Sequence, residues 1–127
     1  MDERTFDAMA EQSVVGSILL DPRCLPEVER VLRPEDLRLE ADRVLYLAAL
    51  ALEREGGKLD SVTILDRARK LGGQVSTEYV LQLMEITPTA ANVKEYIRIV
   101  KDKALLRRIA ETAGELTTLV QEGGETA

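Results

Sequence analysis

The last quarter of the chain constrains the fold most, because residues 88–120 have the pattern of one long helix. A helix of that length extends roughly 50 Å, at about 1.5 Å per residue. Residues 1–87, which precede it, can form a globule only about 30 Å across. The helix is therefore predicted to extend beyond the globule from which it starts.

Two apolar stripes divide this helix. The first stripe, with steps of three and four residues, is formed by Val93, Ile97, Val100 and Ala104. The second stripe points roughly to the opposite side and has coiled-coil spacing; its residues, here called the seam, are Leu106, Ile109, Ala113, Leu116 and Val120. We predict that the first stripe packs on the globule and that the seam, which the globule cannot reach, mediates self-association. The alternative is a bend near residues 101–103 that folds the tail back.

Five shorter helices are predicted before the long one, and no segment alternates with the period of a β-strand. The expected fold is therefore all-α, with a helical globule over residues 1–87, a protruding helix over 88–122 in the same domain and a glycine-rich tail over 123–127. Asp60 is a predicted cap of the fourth helix and Thr87 of the long helix, Ser76 is predicted to begin the fifth helix, and Gly56 and Gly72 are predicted helix stops. The helix over residues 40–54 is apolar almost all round and is expected to be central. Gly16, inside the first helix, is expected to allow a neighbouring helix to approach closely.

Composition argues against catalysis and against several kinds of ligand. The chain has no histidine, one cysteine (Cys24) and no phosphate-binding glycine loop, so no catalytic residue, cofactor or metal site is predicted. With 17 basic against 23 acidic residues and no clear basic patch, direct binding of nucleic acid is not expected. No apolar run is long enough to span a membrane, and a cytoplasmic location is expected.

Five segments, in order, resemble the N-terminal domain of the bacterial replicative DNA helicases of the DnaB type. The segments are residues 10–21 (Ala-Glu-Gln-Ser-Val-Val-Gly-Ser-Ile-Leu-Leu-Asp), 34–37 (Pro-Glu-Asp-Leu), 57–65 (Gly-Lys-Leu-Asp-Ser-Val-Thr-Ile-Leu), 79–83 (Tyr-Val-Leu-Gln-Leu) and 87–93 (Thr-Pro-Thr-Ala-Ala-Asn-Val). Tyr96 and residues 103–108 (Lys-Ala-Leu-Leu-Arg-Arg) extend the last segment. The resemblance covers nearly the whole chain.

The resemblance implies a non-catalytic domain whose long helix is the first arm of a helical hairpin. Such domains form dimers and a hexameric collar, as a trimer of dimers, and bind the C-terminal helicase-binding domain of primase; a helicase loader is a further candidate partner. The ATPase motor lies in a separate domain. Carried over residue by residue, the primase-contact candidates are Tyr79, Arg107, Ala110 and Leu116.

This sequence is expected to depart from the family pattern in three ways. The ATPase motor is expected to be absent, and so is the second hairpin arm, whose turn is expected at residues 123–127 and which would otherwise cover the seam within the chain. An aromatic residue and a His of the family are replaced by Leu39 and Asp42, and the loop before Tyr79 is shortened. An alternative function is a stand-alone phage or plasmid protein that uses this fold to bind or inhibit a helicase or primase. A primase C-terminal domain, with related helices, fits the 87–93 segment less well.

Overall fold

The computed structural model describes residues 3–126, with side chains through Gly123, and it is all-α over that range. The α-helices are α1 (Ala8–Leu20), α2 (Leu25–Val31), α3 (Glu40–Arg54), α4 (Ser61–Lys70), α5 (Thr77–Ile86) and α6 (Val93–Thr126). Single 3-10 turns lie at Pro22–Cys24, Pro34–Asp36 and Ala90–Asn92. No β-strand occurs among the described residues, so the prediction of five short helices followed by one long helix is confirmed.

The side chains that the sequence marked as caps and stops delimit the helices. Asp60 and Ser76 each accept a hydrogen bond from the backbone N–H three residues further on, at 2.8 and 3.0 Å, and so satisfy donors that the first helical turn leaves unpaired. Gly56 and Gly72 follow α3 and α4 with φ of +70° and +90°, a conformation that favours glycine. Local chemistry thus fixes where α4 and α5 begin and where α3 and α4 end.

The central helix is α1, and the prediction that α3 occupies this place is wrong. Helix α1 packs against α3, α4, α5 and α6, whereas α3 packs mainly on α4. Small residues allow these close approaches: a Cβ on Gly16 would lie 1.9 Å from Thr87 Oγ1 and 2.6 Å from the Leu83 carbonyl oxygen. The expected close approach at Gly16 is therefore confirmed. Composition alone favoured α3 because its apolar residues are more numerous, but Leu47 remains exposed.

The long helix differs from its predicted bounds at both ends. It begins at Val93 rather than at residue 88, because a 3-10 turn capped by the Thr89 hydroxyl comes first. The predicted cap at Thr87 is therefore wrong: Thr87 ends α5, and its hydroxyl donates to the Leu83 carbonyl oxygen at 2.6 Å. It continues through Thr126, so no tail or turn occurs at residues 123–126, although two glycines cost the helix about 1 kcal/mol each relative to alanine. Ala127, Met1 and Asp2 lie outside the described residues. The division at residue 87 stays a prediction.

Candidate protein–protein interface

The two stripes of α6 lie in different environments. Residues of the first stripe are at most 4% exposed and pack on α1 and α2. In the seam, Leu106, Ile109, Leu116 and Val120 are 47% to 73% exposed, and Ala113 is exposed too. The helix passes through residues 101–103 without a break, so the alternative of a bend there is wrong. The structure therefore shows an apolar helix face in solvent.

A buried carboxylate holds α6 at the point where the helix leaves the globule. Asp36, in the 3-10 turn Pro34–Asp36, is 1% exposed. Its carboxylate accepts hydrogen bonds from the Arg33 backbone N–H (2.8 Å), from Lys101 Nζ (3.2 Å) and from Arg108 Nη2. Removing either cation would leave this buried charge poorly compensated, which is costly. We call Asp36 with Lys101 and Arg108 the exit clamp.

Arg107 binds the globule with both ends of its guanidinium group. Its Nη1 donates to the Thr5 carbonyl (2.6 Å) and its Nη2 to the Asp36 carbonyl (2.9 Å). Partial burial lowers the pKa of Arg107, and the nearby Glu11 carboxylate acts in the opposite direction. Arg107 thus attaches the N-terminal segment to α6, and two of its guanidinium nitrogens already donate hydrogen bonds within the chain.

Tyr79, on α5, is half-buried against α1 and α3. Its hydroxyl donates to Asp42 Oδ1 (2.6 Å) and accepts from Gln12 Nε2 at 3.4 Å. Burial, with the Asp42 hydrogen bond as a second cause, raises the pKa of Tyr79. The hydroxyl therefore points inward, and only part of the ring remains available to a partner.

Two buried carboxyl groups lie under Tyr79. Asp42 is fully buried, and within the described part of the chain its Oδ2 has no hydrogen-bond partner. Burial raises the pKa of Asp42 to about 7; the Tyr79 hydrogen bond acts in the opposite direction, and the Glu11 charge adds to the rise. Glu11 accepts from two backbone N–H groups, of Arg38 (2.7 Å) and Leu39 (3.1 Å), but burial still raises its pKa. These carboxyls join α1, α3 and α5.

The structure separates the four primase-contact candidates into two groups. Ala110 and Leu116 lie exposed on α6 beyond the globule. Tyr79 and Arg107 are partly buried and each is bound to other parts of the domain. The seam residues share one face of α6, as the spacing predicted.

The sequence did not predict that Asp36 and Asp42 are buried carboxylates that connect different helices. Asp36 stood in the quoted segment 34–37, and the positive charges at 101 and 108 were visible, but only the fold shows that they converge on it. Asp42 was noted only as a departure from the family pattern.

Residues 4–102 match a protein-family model described as the DnaB-like helicase N terminal domain. The match covers most of the chain. The chain belongs to the DnaB N-terminal domain family. The resemblance to the DnaB N-terminal domain is thereby confirmed.

Curated relatives carry the name of the whole helicase. The chain is 36% identical over 120 residues to the replicative DNA helicase DnaB of Geobacillus stearothermophilus. This alignment covers 90% of this chain and 25% of that protein. It is 38% identical over 127 residues to DnaB of Mycobacterium leprae, with 95% of this chain and 20% of that protein covered. The chain thus spans about a quarter of the length of the relatives it matches.

Solved DnaB N-terminal domains have the same fold. The crystal structure of this domain from Mycobacterium tuberculosis superposes with a TM-score of 0.91 at 34% identity, covering 98% of this chain and 91% of that one. The Helicobacter pylori domain, described with its interactions with primase, superposes with a TM-score of 0.78 at 22% identity, covering 89% and 90%. The second likeness supports the fold alone.

The family model and the Mycobacterium tuberculosis structure that match this chain both describe the N-terminal domain of the helicase. Among the helices described, none is long and apolar enough to cross a membrane. Within residues 3–123, no group of three His, Cys, Asp or Glu side chains is placed to hold a metal ion.

Proposed function

We propose that this domain is an assembly and docking module of a bacterial replicative DNA helicase in the cytoplasm. In this role it joins copies of the helicase into a dimer or hexameric collar and binds the C-terminal helicase-binding domain of primase. A helicase loader is a further partner of the same kind. The observation that supports the proposal is the exposed apolar seam on a helix that extends beyond its globule.

Self-association is favoured by the energetics of the seam. Fully burying one Leu, Ile or Val side chain contributes roughly 1.5–3 kcal/mol. Four such side chains are half to three-quarters exposed along one face of α6. A contiguous exposed apolar face of this kind is typical of a protein-interaction site. A second α6 with the same spacing would cover it by side-chain interdigitation.

Primase docking is supported by the position of Ala110 and Leu116 beyond the globule, where a partner can reach them. For Tyr79 and Arg107 we propose a more limited contact, through the ring edge and the aliphatic stem, because their polar ends are bound internally. The interaction with primase described for the Helicobacter pylori domain motivates this choice of partner.

The self-association proposal is tested by light-scattering mass over a dilution series. Replacing Ile109 and Leu116 by Glu should abolish dimers, because two charges would have to be desolvated in the seam. The matched control replaces Val62 and Leu81, equally exposed on the globule, by Glu and should leave the mass unchanged. An unchanged mass for the seam variant would remove the seam from the interface.

Primase docking is tested by titration with the C-terminal domain of a primase encoded in the same genome. Ala110→Glu should weaken binding at least tenfold while the oligomer mass stays the same. Ala91→Glu, an identical change at an exposed site on the 3-10 turn, serves as the control. Equal binding by the two variants would remove Ala110 from the docking surface.

A further inference from the structure

A groove between α2 and α6 has no role in the function proposed above. It lies beside residues 94–102 of α6, contains none of the seam residues and has a volume of about 370 Å³. Its apolar floor is formed by Val31 of α2 and Ile97 of α6. Ile97 is buried, but Val31 remains 42% exposed. The groove therefore offers solvent-exposed apolar surface between two packed helices.

Basic side chains predominate around this floor. Four of them line the groove, against two acidic ones: Arg30, Lys94, Arg98 and Lys101, with Glu27 and Asp102. The local excess is positive in a chain whose net charge is −6. A groove lined mainly by one sign of charge attracts ligands of the opposite sign.

Two of the four cations remain available to a ligand. Lys101 is held by the buried Asp36 carboxylate, and Arg98 pairs with two neighbouring carboxylates of α6, at 3.1 and 3.5 Å. Arg30 and Lys94 are exposed, and within the described part of the chain their side chains form no hydrogen bond or ion pair. One stands on α2 and the other on α6, so a ligand in the groove meets an unpaired cation from each helix.

We propose that the α2–α6 groove binds an acidic peptide of a partner protein through one apolar anchor side chain. The anchor lies on Val31 and Ile97. Carboxylates on both sides of the anchor pair with Arg30 and Lys94. This contact goes beyond the assembly and primase docking proposed above, because the groove contains neither a seam residue nor a primase-contact candidate.

An apolar floor with separate cations favours a peptide over a nucleic acid. A peptide can direct individual carboxylates to Arg30 and Lys94, and a guanidinium group binds a carboxylate through two parallel hydrogen bonds. The phosphates of a nucleic acid follow each other closely along the strand, and the carboxylates of Glu27 and Asp102 would repel those that pass them. Recognition of acidic motifs by arginine side chains is a recurring mode of peptide binding.

Titration of a dye-labelled peptide with the whole domain, followed by fluorescence anisotropy, tests this chemistry. The probe is Ser-Asp-Asp-Leu-Phe-Asp-Asp-Ser, and we expect saturable binding with Kd below about 100 µM that weakens as salt is added. A peptide with Lys for Asp, and one with Ser for Leu and Phe, should each bind at least tenfold more weakly. Equal binding without Leu and Phe would show that the floor is not used, and no binding of the probe at about 1 mM domain would overturn the proposal.

Charge variants locate the binding on the domain. Arg30→Glu and Lys94→Glu should each weaken the probe at least fivefold, because a cation beside its carboxylates is replaced by an anion. Lys58→Glu makes the same charge change as Lys94→Glu at an exposed site in the loop after α3 and should have no effect. Equal affinities for all three variants would exclude the groove.

The apolar floor has its own matched pair of variants. Val31→Asp should abolish binding of the Leu-Phe probe, whereas Val62→Asp, at the still more exposed Val62 on α4, should leave it unchanged. Circular dichroism of both variants checks that they remain folded. Full binding by a folded Val31→Asp would remove the floor from the site.

Three further measurements separate this partner from the others. Carbodiimide should link the probe to Lys94 and not to Lys58. Oligothymidylate should not displace the probe; displacement would assign the groove to nucleic acid. Light-scattering mass and primase titration of Lys94→Glu should match those of the unsubstituted chain, and a lower mass would assign the groove to a second copy. Because the seam and Ala110 lie elsewhere, failure of the proposed function would leave probe binding intact.

Discussion

The near and far halves of α6 form one continuous helix, yet they obtain their stability differently. The near half buries Val93, Ile97, Val100 and Ala104 against the globule and is held by the exit clamp. Beyond Arg108, every described residue through Gly123 is exposed. No described residue of the far half is buried against the globule, so its stability depends mainly on helix propensity and on hydrogen bonds within the helix.

This difference shows what the far half requires. Isolated helices shorter than about 12–15 residues are marginal in water even for good helix formers, and most helical stability in proteins comes from packing of an apolar face. A segment that continues as helix without such packing is stabilised by a partner or by propagation from its packed end. The seam and Leu119 are the positions at which a partner could supply the missing burial.

The largest expected effect comes from making one substitution in both halves. Ile97→Ala should lower the free energy of unfolding by roughly 2–5 kcal/mol, because Ile97 is buried and its removal leaves a cavity. Ile109→Ala, at a mostly exposed site, should change it by less than about 0.5 kcal/mol in dilute monomer. Urea unfolding followed by circular dichroism measures both, and equal losses would contradict the division of α6.

How far the sequence predicted the fold depends on the range of the interactions involved. The six described helices, the cap at Asp60, the start of α5 near Ser76 and the two stripes of α6 follow from neighbouring residues and were predicted. The central place of α1 was not, because it depends on several helices meeting around Gly16. The continuation of α6 through the final glycines was missed because a glycine pair is only a weak stop inside a long helix.

The globule and the far half should also differ in their response to pH. Asp42 has a pKa of about 7 when folded and about 3.8 when unfolded, so the folded state binds the extra proton between these values. Its contribution to stability therefore falls as the pH rises from 5 to 8, by roughly 2–3 kcal/mol. Asp42→Asn should remove this part of the slope, which denaturant midpoints at both pH values measure. Glu115→Gln, an exposed carboxylate of the far half, should leave the slope unchanged.

The exit clamp marks the boundary between the two halves and can be tested against a surface ion pair. Asp36→Ala should cost roughly 2–3 kcal/mol, because it removes a buried carboxylate that serves two cations. It should also speed tryptic cleavage after Arg107 and Arg108. Asp66→Ala breaks an exposed pair with Lys70 (3.0 Å) and should cost less than about 1 kcal/mol. Similar losses for the two variants would mean that the clamp does not fix the exit of α6.

The candidate site was predictable only in its periodic part. Seam residues were found because helical spacing alone places them on one face. The inward hydroxyl of Tyr79 and the internal binding of Arg107 were not, because each depends on partners 37 to 102 residues away in the sequence. Such distant pairs leave no local pattern in the sequence. The resemblance therefore identified Tyr79 and Arg107 as candidates, but it did not show that their polar groups form hydrogen bonds within the domain.

Alanine substitutions at two helical glycines, one in the globule and one in the far half of α6, have the smallest expected effects and distinguish the two regions most clearly. Gly16→Ala should destabilise the domain by roughly 1–3 kcal/mol, because the new Cβ would overlap the Leu83 carbonyl oxygen, a backbone atom. Gly114→Ala meets nothing within 4 Å and should stabilise the far half of α6 by up to about 1 kcal/mol. The gain should appear as slower amide hydrogen exchange over residues 108–122, with the global unfolding midpoint unchanged, because that half can unfold without the globule. A rise of the global midpoint by the same amount would show that the two halves unfold as one unit.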